Sequence, residues 1–302
     1  MTHEDTATVS SPFGVGAGWD LHCHTVFSDG TETPRRMVEQ AQQQGLEGLA
    51  ITDHDTNAGW DQARQAAHDL GMPLLPGTEI TAQDGRVSVH MLAYLYDPKD
   101  PVIAGLFAKT REARLTRTRT MVERISQDYP ITWQDVLDQV KEGSKTTVGR
   151  PHIADALVKA GIYGDRSQAF AGVCSSKSAY YLPTPSPTTH QVLEAVNHAG
   201  GVLIIAHPGA VSRNAVLLSD RQIAALAREG LGGLEVWHRD NPPEQRRRLL
   251  ALAQRWGLLV TGGSDWHGQG KPNRMGENST SGEVVARIVD KAQGSRPAAW
   301  RN

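Results

Sequence analysis

The sequence predicts an α/β fold built on a mainly parallel sheet and interrupted once by a helical insert. Three observations predict it. Short apolar runs alternate with helical stretches from Trp19 to about residue 100. Over residues 101–189 the pattern changes to several helical stretches without clear strands, and alternation then returns over about 190–290. Strands alternating with helices argue for a largely parallel sheet. We therefore expect residues 19–100 and 190–290 to form one discontinuous barrel-like domain, with 101–189 as a helical insert covering its mouth. Alternation alone leaves an open doubly wound sheet nearly as good a reading as a closed barrel.

The elements follow in order. Trp19 to Thr25 reads as the first strand. Thr33 to Gly45 reads as a helix, with Thr33 suited to cap it and Pro34 at its first position. Leu49 to Thr52 is a buried-strand pattern running into Asp53-His54-Asp55, and Gly59 to Leu70 is a second helix. Met72 to Leu75 with Gly77 to Thr81 gives a third strand region, and Val87 to Leu95 a fourth. A Pro-rich stretch, Leu182 to Pro187, closes the insert. Gly201 to Ala206, Leu234 to Trp237 and Leu258 to Gly262 then read as strands, separated by helices over Asp220 to Glu229 and Pro243 to Trp256.

Composition excludes several function classes. The 302 residues are 39% hydrophobic and 21% charged, as ordinary globular chains are, and the net charge of −2 provides no global basic field for nucleic acid. An anionic substrate must be caught locally. Cys23 and Cys174, the two cysteines, cannot build a disulfide framework or a thiolate zinc site. Residues 1–18 lack the basic start and apolar core of a signal peptide, and no apolar run approaches the ~20 residues that span a membrane. We expect a cytoplasmic protein with no membrane partner and no obligate protein partner.

The chemistry is carried by histidines and carboxylates at strand ends. In Asp20-Leu21-His22-Cys23-His24, strand alternation puts His22 and His24 on one face and turns Cys23 into the packing. Asp29 follows in a Ser-Asp-Gly turn, and His54 lies in Thr52-Asp53-His54-Asp55-Thr56. Glu79 follows Pro76-Gly77-Thr78, His90 interrupts the apolar run Val87 to Leu92, and His207 ends Ile204-Ile205-Ala206 before Pro208-Gly209. Asp265 and His267 repeat the i, i+2 spacing in Gly263-Ser264-Asp265-Trp266-His267-Gly268. Each string alone reads equally well as a satisfied core histidine or a solvated loop. Six such strings, each after an apolar run, are not explained by packing, because closing a barrel gathers strand ends on one face. The nine side chains suit two or three metal ions better than one, and imidazole with carboxylate but no thiolate fits manganese, iron or zinc.

These strings, DLHCHTVFSDG, ITDHDT, GTEI, the strand histidine at position 90, IIAHPG and GGSDWHG, resemble the polymerase and histidinol phosphatase (PHP) family of metal-dependent phosphoesterases. Gly149-Arg150-Pro151-His152-Ile153-Ala154 and Leu234-Glu235-Val236-Trp237-His238 make the chain most similar to the nucleoside 3′,5′-bisphosphate phosphatases, a branch related to short-RNA 5′→3′ exoribonucleases. The resemblance implies a distorted seven-stranded (β/α) barrel with a helical insert. It also implies a site of up to three ions, with manganese first among the candidates. His22, His24 and Asp265 would hold one ion. Glu79 would bridge it to a second completed by His90 and His207, and Asp29, His54 and His267 would hold the third.

The implied reaction removes the 3′-phosphate of a nucleoside 3′,5′-bisphosphate and leaves the 5′-monophosphate, with trimming of short RNA as an extension. Arg150 suits a phosphate clamp because a guanidinium binds phosphate through paired donors. His152, Glu235 and Arg117 are further substrate-binding candidates, although His152 equally suits capping the helix that follows. Arg114, Arg117 and Arg124 share a helical face, for which a solvated surface is the competing reading. His238 is the candidate proton donor to the leaving oxygen. Two other readings stand beside this one: a histidinol phosphate phosphatase, and a non-catalytic metal-binding module.

Overall fold

The computed structural model describes residues 17–214 and 216–300. The reading of the extreme N-terminus as lacking a signal peptide falls mostly outside the described residues. One seven-stranded sheet runs in the order β1 to β7: Trp19–Asp20, Gly48–Ile51, Leu74–Asp84, Val87–Tyr94, Val202–Ile205, Gly233–Trp237 and Leu259–Gly262. Its two edges meet. Trp266 N donates to His22 O at 3.2 Å and His24 N to Trp266 O at 2.8 Å, so the sheet curls into a nearly closed barrel. The α/β barrel expectation is borne out, and the open sheet is excluded by this seam.

Strand alternation sorts the core. Leu49 and Ile51, Leu74, Met91 and Ala93, and Leu203 and Ile205 face the outer cluster under the helices. Their neighbours Ala50, Leu75, Leu92, Tyr94 and Ile204 face an inner cluster that fills the barrel. This is the period of two that a strand buried on both faces must show. Helix α1 (Pro34–Gln43) is capped as expected, with Thr33 accepting from Arg36 N, and α2 (Trp60–Leu70) ends on Gly71 in the left-handed region. Further helices α7 (Thr189–His198), α8 (Asp220–Arg228), α9 (Pro243–Trp256) and α10 (Gly282–Lys291) complete the barrel. Val285 and Ile288 of α10 pack with Trp19 and Leu259 and stopper the end at which β1 and β7 begin.

Two strand expectations are corrected. The first strand does not run to Thr25. It stops at Asp20, because Cys23 N bonds to the Thr52 hydroxyl and His22 N to the Asp20 carboxylate instead of a neighbouring strand. The third strand is one 11-residue element rather than two pieces, and it forms a hairpin with β4, which is antiparallel to both of its neighbours. That reversal has a use. Because β4 runs backwards, its early residue His90 lies level with the end of β5, where Ala206 N donates to His90 O.

The region after β4 contains α3 (Pro101–Ile125), α4 (Trp133–Leu137), α5 (Arg150–Lys159) and α6 (Arg166–Ala171). Met121, Ile125, Val136, Ile153, Leu157 and Val173 belong to a third hydrophobic cluster of this region's own. Ile103 and Phe107, at the start of α3, pack instead into the outer barrel cluster. The long helix thus ties the two cores together. No helix among the described residues is long and apolar enough to cross a membrane.

Candidate metal centre

The nine singled-out side chains converge at the end of the barrel opposite α10. Glu79 lies at their centre. Its Oε2 is 3.2 Å from His22 Nε2, 3.1 Å from His24 Nε2 and 3.3 Å from His54 Nδ1. Its Oε1 is 2.9 Å from His90 Nδ1 and 3.2 Å from His207 Nε2. Asp265 Oδ1 lies 3.6 Å from His22 Nε2 and 3.4 Å from His24 Nε2, and Asp29 Oδ1 lies 3.1 Å from His267 Nε2. His207 (φ 31°) and Asp265 (φ 55°) both adopt the left-handed region at strand ends, as does Asp55 (φ 53°) beside His54. Such backbone is uncommon outside glycine and clusters where a turn must aim a side chain.

Burial and hydrogen bonding make this a place for cations. His22 Nε2, His24 Nε2, His54 Nδ1, His267 Nε2 and Asp29 Oδ1 are buried without a hydrogen-bond partner. Orphaned buried lone pairs are costly unless something satisfies them, and a divalent ion does so. Three sets of ligand atoms lie within 4.8 Å of one another: His24, Asp29, His54 and His267; His22, His24, Glu79 and Asp265; and His54, Glu79 and His90. These neighbourhoods resemble the pairing inferred from the motifs, except that His24 and His54 are each shared between two sets. His207 reaches Glu79 from outside them.

The partners behind the ring set the ligand atoms. His22 Nδ1 lies 2.9 Å from Glu235 Oε1, and His267 Nδ1 lies 2.8 Å from Asp265 O, so each ring donates there and turns a free Nε2 inward. Burial opposes ionisation of Glu79, Asp29 and Asp265, yet the surrounding histidines, with Lys271 and Arg213 at Asp265, hold all three well below the usual carboxylate range. Burial pushes the His267 imidazole down to about 4, with help from Lys271 and His24. His24 goes the other way. Burial is outweighed by Asp265 and Glu79, which raise it to about 9.

Not every expected residue faces this ring. Glu235 is fully buried; its Oε2 accepts from His207 N at 2.8 Å while Oε1 holds His22. The expectation of a direct substrate contact for Glu235 is corrected, since both oxygens are engaged behind the ligands. His152 Nδ1 accepts from Gly149 N at 3.2 Å, closing the N-terminus of α5, which is the capping alternative. Arg150 and Arg117 contact the Tyr181 ring rather than the nine, each with its guanidinium carbon 5.3 Å from the ring centre. Arg124 is exposed at the far end of α3. His238 is buried beside the ring, with Nε2 3.8 Å from Asp265 Oδ2.

Motif reading missed two cations at the site, Arg213 and Lys271, and noticed a third, Arg114, only for its helical face. Arg213 Nη2 donates to Asp265 Oδ2 at 2.6 Å and Nη1 lies 3.2 Å from His207 Nε2, while Asp240 anchors its Nε. Lys271 Nζ lies 3.0 Å from Asp265 Oδ2. Arg114 Nη1 bonds Asp55 and Thr81 at 2.9 and 2.8 Å. The available signal was position: Arg213 and Lys271 follow His207 and His267 by only a few residues, in the loops that strand-end ligands open.

Comparison with known proteins agrees with this geometry. The family model described as "PHP domain" matches residues 20–198. The chain is 31% identical to the 5′-3′ exoribonuclease Rnm of Salmonella typhimurium, over 82% of this chain and 85% of that one. It is 31% identical to a phosphoribosyl 1,2-cyclic phosphate 1,2-diphosphodiesterase of Eggerthella lenta, over 83% and 94%. It is 29% identical to a 3′,5′-nucleoside bisphosphate phosphatase of Chromobacterium violaceum, over 85% and 90%. A crystal structure from Bifidobacterium adolescentis, assigned as a metal-dependent phosphoesterase, superposes with a TM-score of 0.91 at 64% identity, over 92% of this chain and 97% of that one.

Proposed function

The chain belongs to the PHP-domain family and is a metal-dependent hydrolase of phosphoric esters, and on that premise we propose that it removes the 3′-phosphate of nucleoside 3′,5′-bisphosphates. Short 5′-phosphorylated RNA is the natural extension, since its 3′-phosphodiester presents the same P–O3′ bond and the same leaving oxygen, with the rest of the strand carried on the phosphorus. A nucleotide substrate fits the cytoplasmic location expected from the sequence.

The observation that carries this reading is a second cationic station beside the ring. Arg117 and Arg150 both pack on Tyr181, and among the described residues neither makes an ion pair. Arg117 gives Nε to Leu182 O, and Arg150 gives Nη1 to Cys174 O. Burial and the nearby Arg150 lower Arg117 to about 10, still charged at neutral pH but poorly compensated. Two desolvated cations without a carboxylate are stabilised by an anion. Arg114 joins this station to the ring, because it bonds Asp55 next to His54 and its Nη2 would lie 3.1 Å from a Cβ placed on Gly149. A substrate with two phosphates fills both places. Histidinol phosphate carries one phosphate and a cationic amine, which the second station would repel.

The nine ligand side chains would hold two or three divalent ions; the imidazole and carboxylate donor set suits manganese, iron or zinc, and the family resemblance favours manganese. When bound, such ions lower the pKa of water toward ~7 and neutralise phosphate oxygens. The chain's own groups do the rest. Glu235 orients His22 and the His207 backbone, and Arg213 places two donors against ligand side chains, where a phosphate oxygen would also lie. His238 offers a hydrogen bond to the leaving group. Its Nδ1 accepts from Asp240 N at 3.1 Å, so the neutral ring carries hydrogen on Nε2, which is buried and unpartnered beside Asp265. That hydrogen suits the departing ribose oxygen.

The test is phosphate release by manganese-loaded protein from adenosine 3′,5′-bisphosphate, adenosine 5′-monophosphate, histidinol phosphate and a phosphoribosyl cyclic phosphate, with release of nucleoside 5′-monophosphate measured for a 5′-phosphorylated trinucleotide. Arg150→Met is expected to raise KM for the bisphosphate by about 10–100-fold, the loss of one charged hydrogen-bonding partner. It should leave hydrolysis of p-nitrophenyl phosphate, which has a single phosphate, nearly unchanged. Equal effects on both substrates, or turnover of histidinol phosphate alone, would reject the two-phosphate reading.

A further inference from the structure

The loop that carries Asp29 is anchored to the barrel through Asp53 and the turn after His267, and to the helical insert through its carbonyls. Four of its backbone carbonyls accept from insert donors: Val26 O from the Thr146 hydroxyl at 3.0 Å, Phe27 O from Thr147 N at 2.9 Å, Asp29 O from Arg166 Nη1 at 2.7 Å, and Thr31 O from Lys141 Nζ at 2.6 Å. Arg166 is itself fixed, because its Nε and Nη2 form a two-point ion pair with Asp155 on α5. The guanidinium is wedged between two ligand-bearing segments. On one side is Asp29; on the other is the turn after His267, where a Cβ on Gly270 would collide with Arg166 Nη1. Those segments are also bonded to each other, Thr31 N donating to His267 O at 3.1 Å. Asp29 and His267 belong to the same ligand set, with His24 and His54.

We infer that the insert is a structural part of this one metal site, and that Arg166 is the positioning residue that fixes Asp29 within it. The inference rests on the reading of the four side chains as metal ligands. The set built on His22, Glu79 and Asp265 receives its cations from barrel loops instead, through Arg213 and Lys271. The two sets should therefore respond differently to a change in the insert. The coupling is also reciprocal: whatever makes the docked insert favour the ion makes the ion favour the docked insert.

The experiment counts ions. EDTA-stripped wild type, Arg166→Ala, Arg166→Lys, Asp29→Asn and Asp265→Asn are titrated with manganese. Bound metal per chain is measured by elemental analysis, and free manganese by electron paramagnetic resonance. Asp29→Asn should lose one ion. Arg166→Ala should weaken that same ion by about 10–100-fold, the usual effect of removing a group that orients a ligand, and leave the ions lost in Asp265→Asn intact. Arg166→Lys should recover part of the affinity. Hydrogen exchange over residues 141–147 should slow on metal loading in wild type and much less in Arg166→Ala. If Arg166→Ala binds all ions as wild type does while Asp29→Asn loses one, the inference fails and the metal-site reading stands. If Arg166→Ala weakens every ion equally, the site-specific role fails. If Asp29→Asn keeps every ion, both fail. Should circular dichroism show Arg166→Ala unfolded, Asp155→Asn replaces it in the same count, and the same results decide.

Discussion

Glu79 serves five imidazoles with two oxygens, and Glu235 stands one layer further back, serving one ring and one backbone amide. The difference decides how each behaves on substitution. Glu235→Gln keeps the shape but loses the charge that holds His22 Nδ1–H, so manganese affinity should fall about 10–100-fold with the fold intact. Equilibrium dialysis measures this, and unchanged affinity would return Glu235 to the list of substrate contacts. His238→Leu should leave the metal count unchanged and lower kcat by about 10–100-fold on substrates with poor leaving groups, with much less effect on p-nitrophenyl phosphate, whose phenolate needs no such hydrogen bond. Nine side chains around the ring could be picked from the sequence because each follows an apolar run. Glu235 was noticed for its motif but misplaced, since nothing in a linear string tells a carboxylate in contact with a ligand from one in contact with solvent. Arg166 and Asp155 gave no signal at all. They are ordinary helix residues whose meaning is where the insert lands.

At the scale of elements, apolar runs and turn residues made the seven strands legible, and Thr33 with Pro34 announced a helix start. Strand direction was not legible. The β3–β4 hairpin turns at Gly85-Arg86, with Gly85 at φ 58° and open space where a Cβ would stand. A two-residue loop that begins with Gly is a hairpin turn, and the reversal of β4 follows from it. Gly85→Ala would meet no steric clash, so it isolates the cost of left-handed backbone for an L-residue. We expect about 1–2 kcal/mol of destabilisation in urea unfolding, with metal stoichiometry unchanged. A neutral result would mean the turn relaxes. The length of β1 was overestimated because its apolar alternation continues through Cys23, whereas the amides of His22, Cys23 and Thr25 turn to side chains.

For the molecule as a whole, the stripped and loaded proteins should respond to pH in opposite senses. In the stripped protein His24 is raised from 6.5 to about 9, and His22 is raised as well, by carboxylates that outweigh burial. A raised histidine contributes stability that is fully present below its unfolded pKa and is lost as pH rises through the folded value. The carboxylates around them are ionised throughout that range. In EDTA the melting temperature should therefore fall between about pH 6.5 and 9. Metal binding requires the neutral imidazoles and releases their protons, so the gap between loaded and stripped melting temperatures should widen with pH. Paired thermal melts at the two ends of the range settle the sign, and a stripped protein that gains stability toward pH 9 would overturn it.

The barrel's seam has a mechanical side. Between β1 and β7 the ring is closed by the backbones of His22, His24 and Trp266, the first two of which also carry ligands. The clasp of the ring and its working centre are therefore the same few residues. A cation gripping their side chains also locks the clasp, and removing it leaves the ring with its weakest link where its chemistry is done. Thermal wear should start there, with the amides of His24 and Trp266 among the first in the sheet to exchange with solvent once the ions are gone.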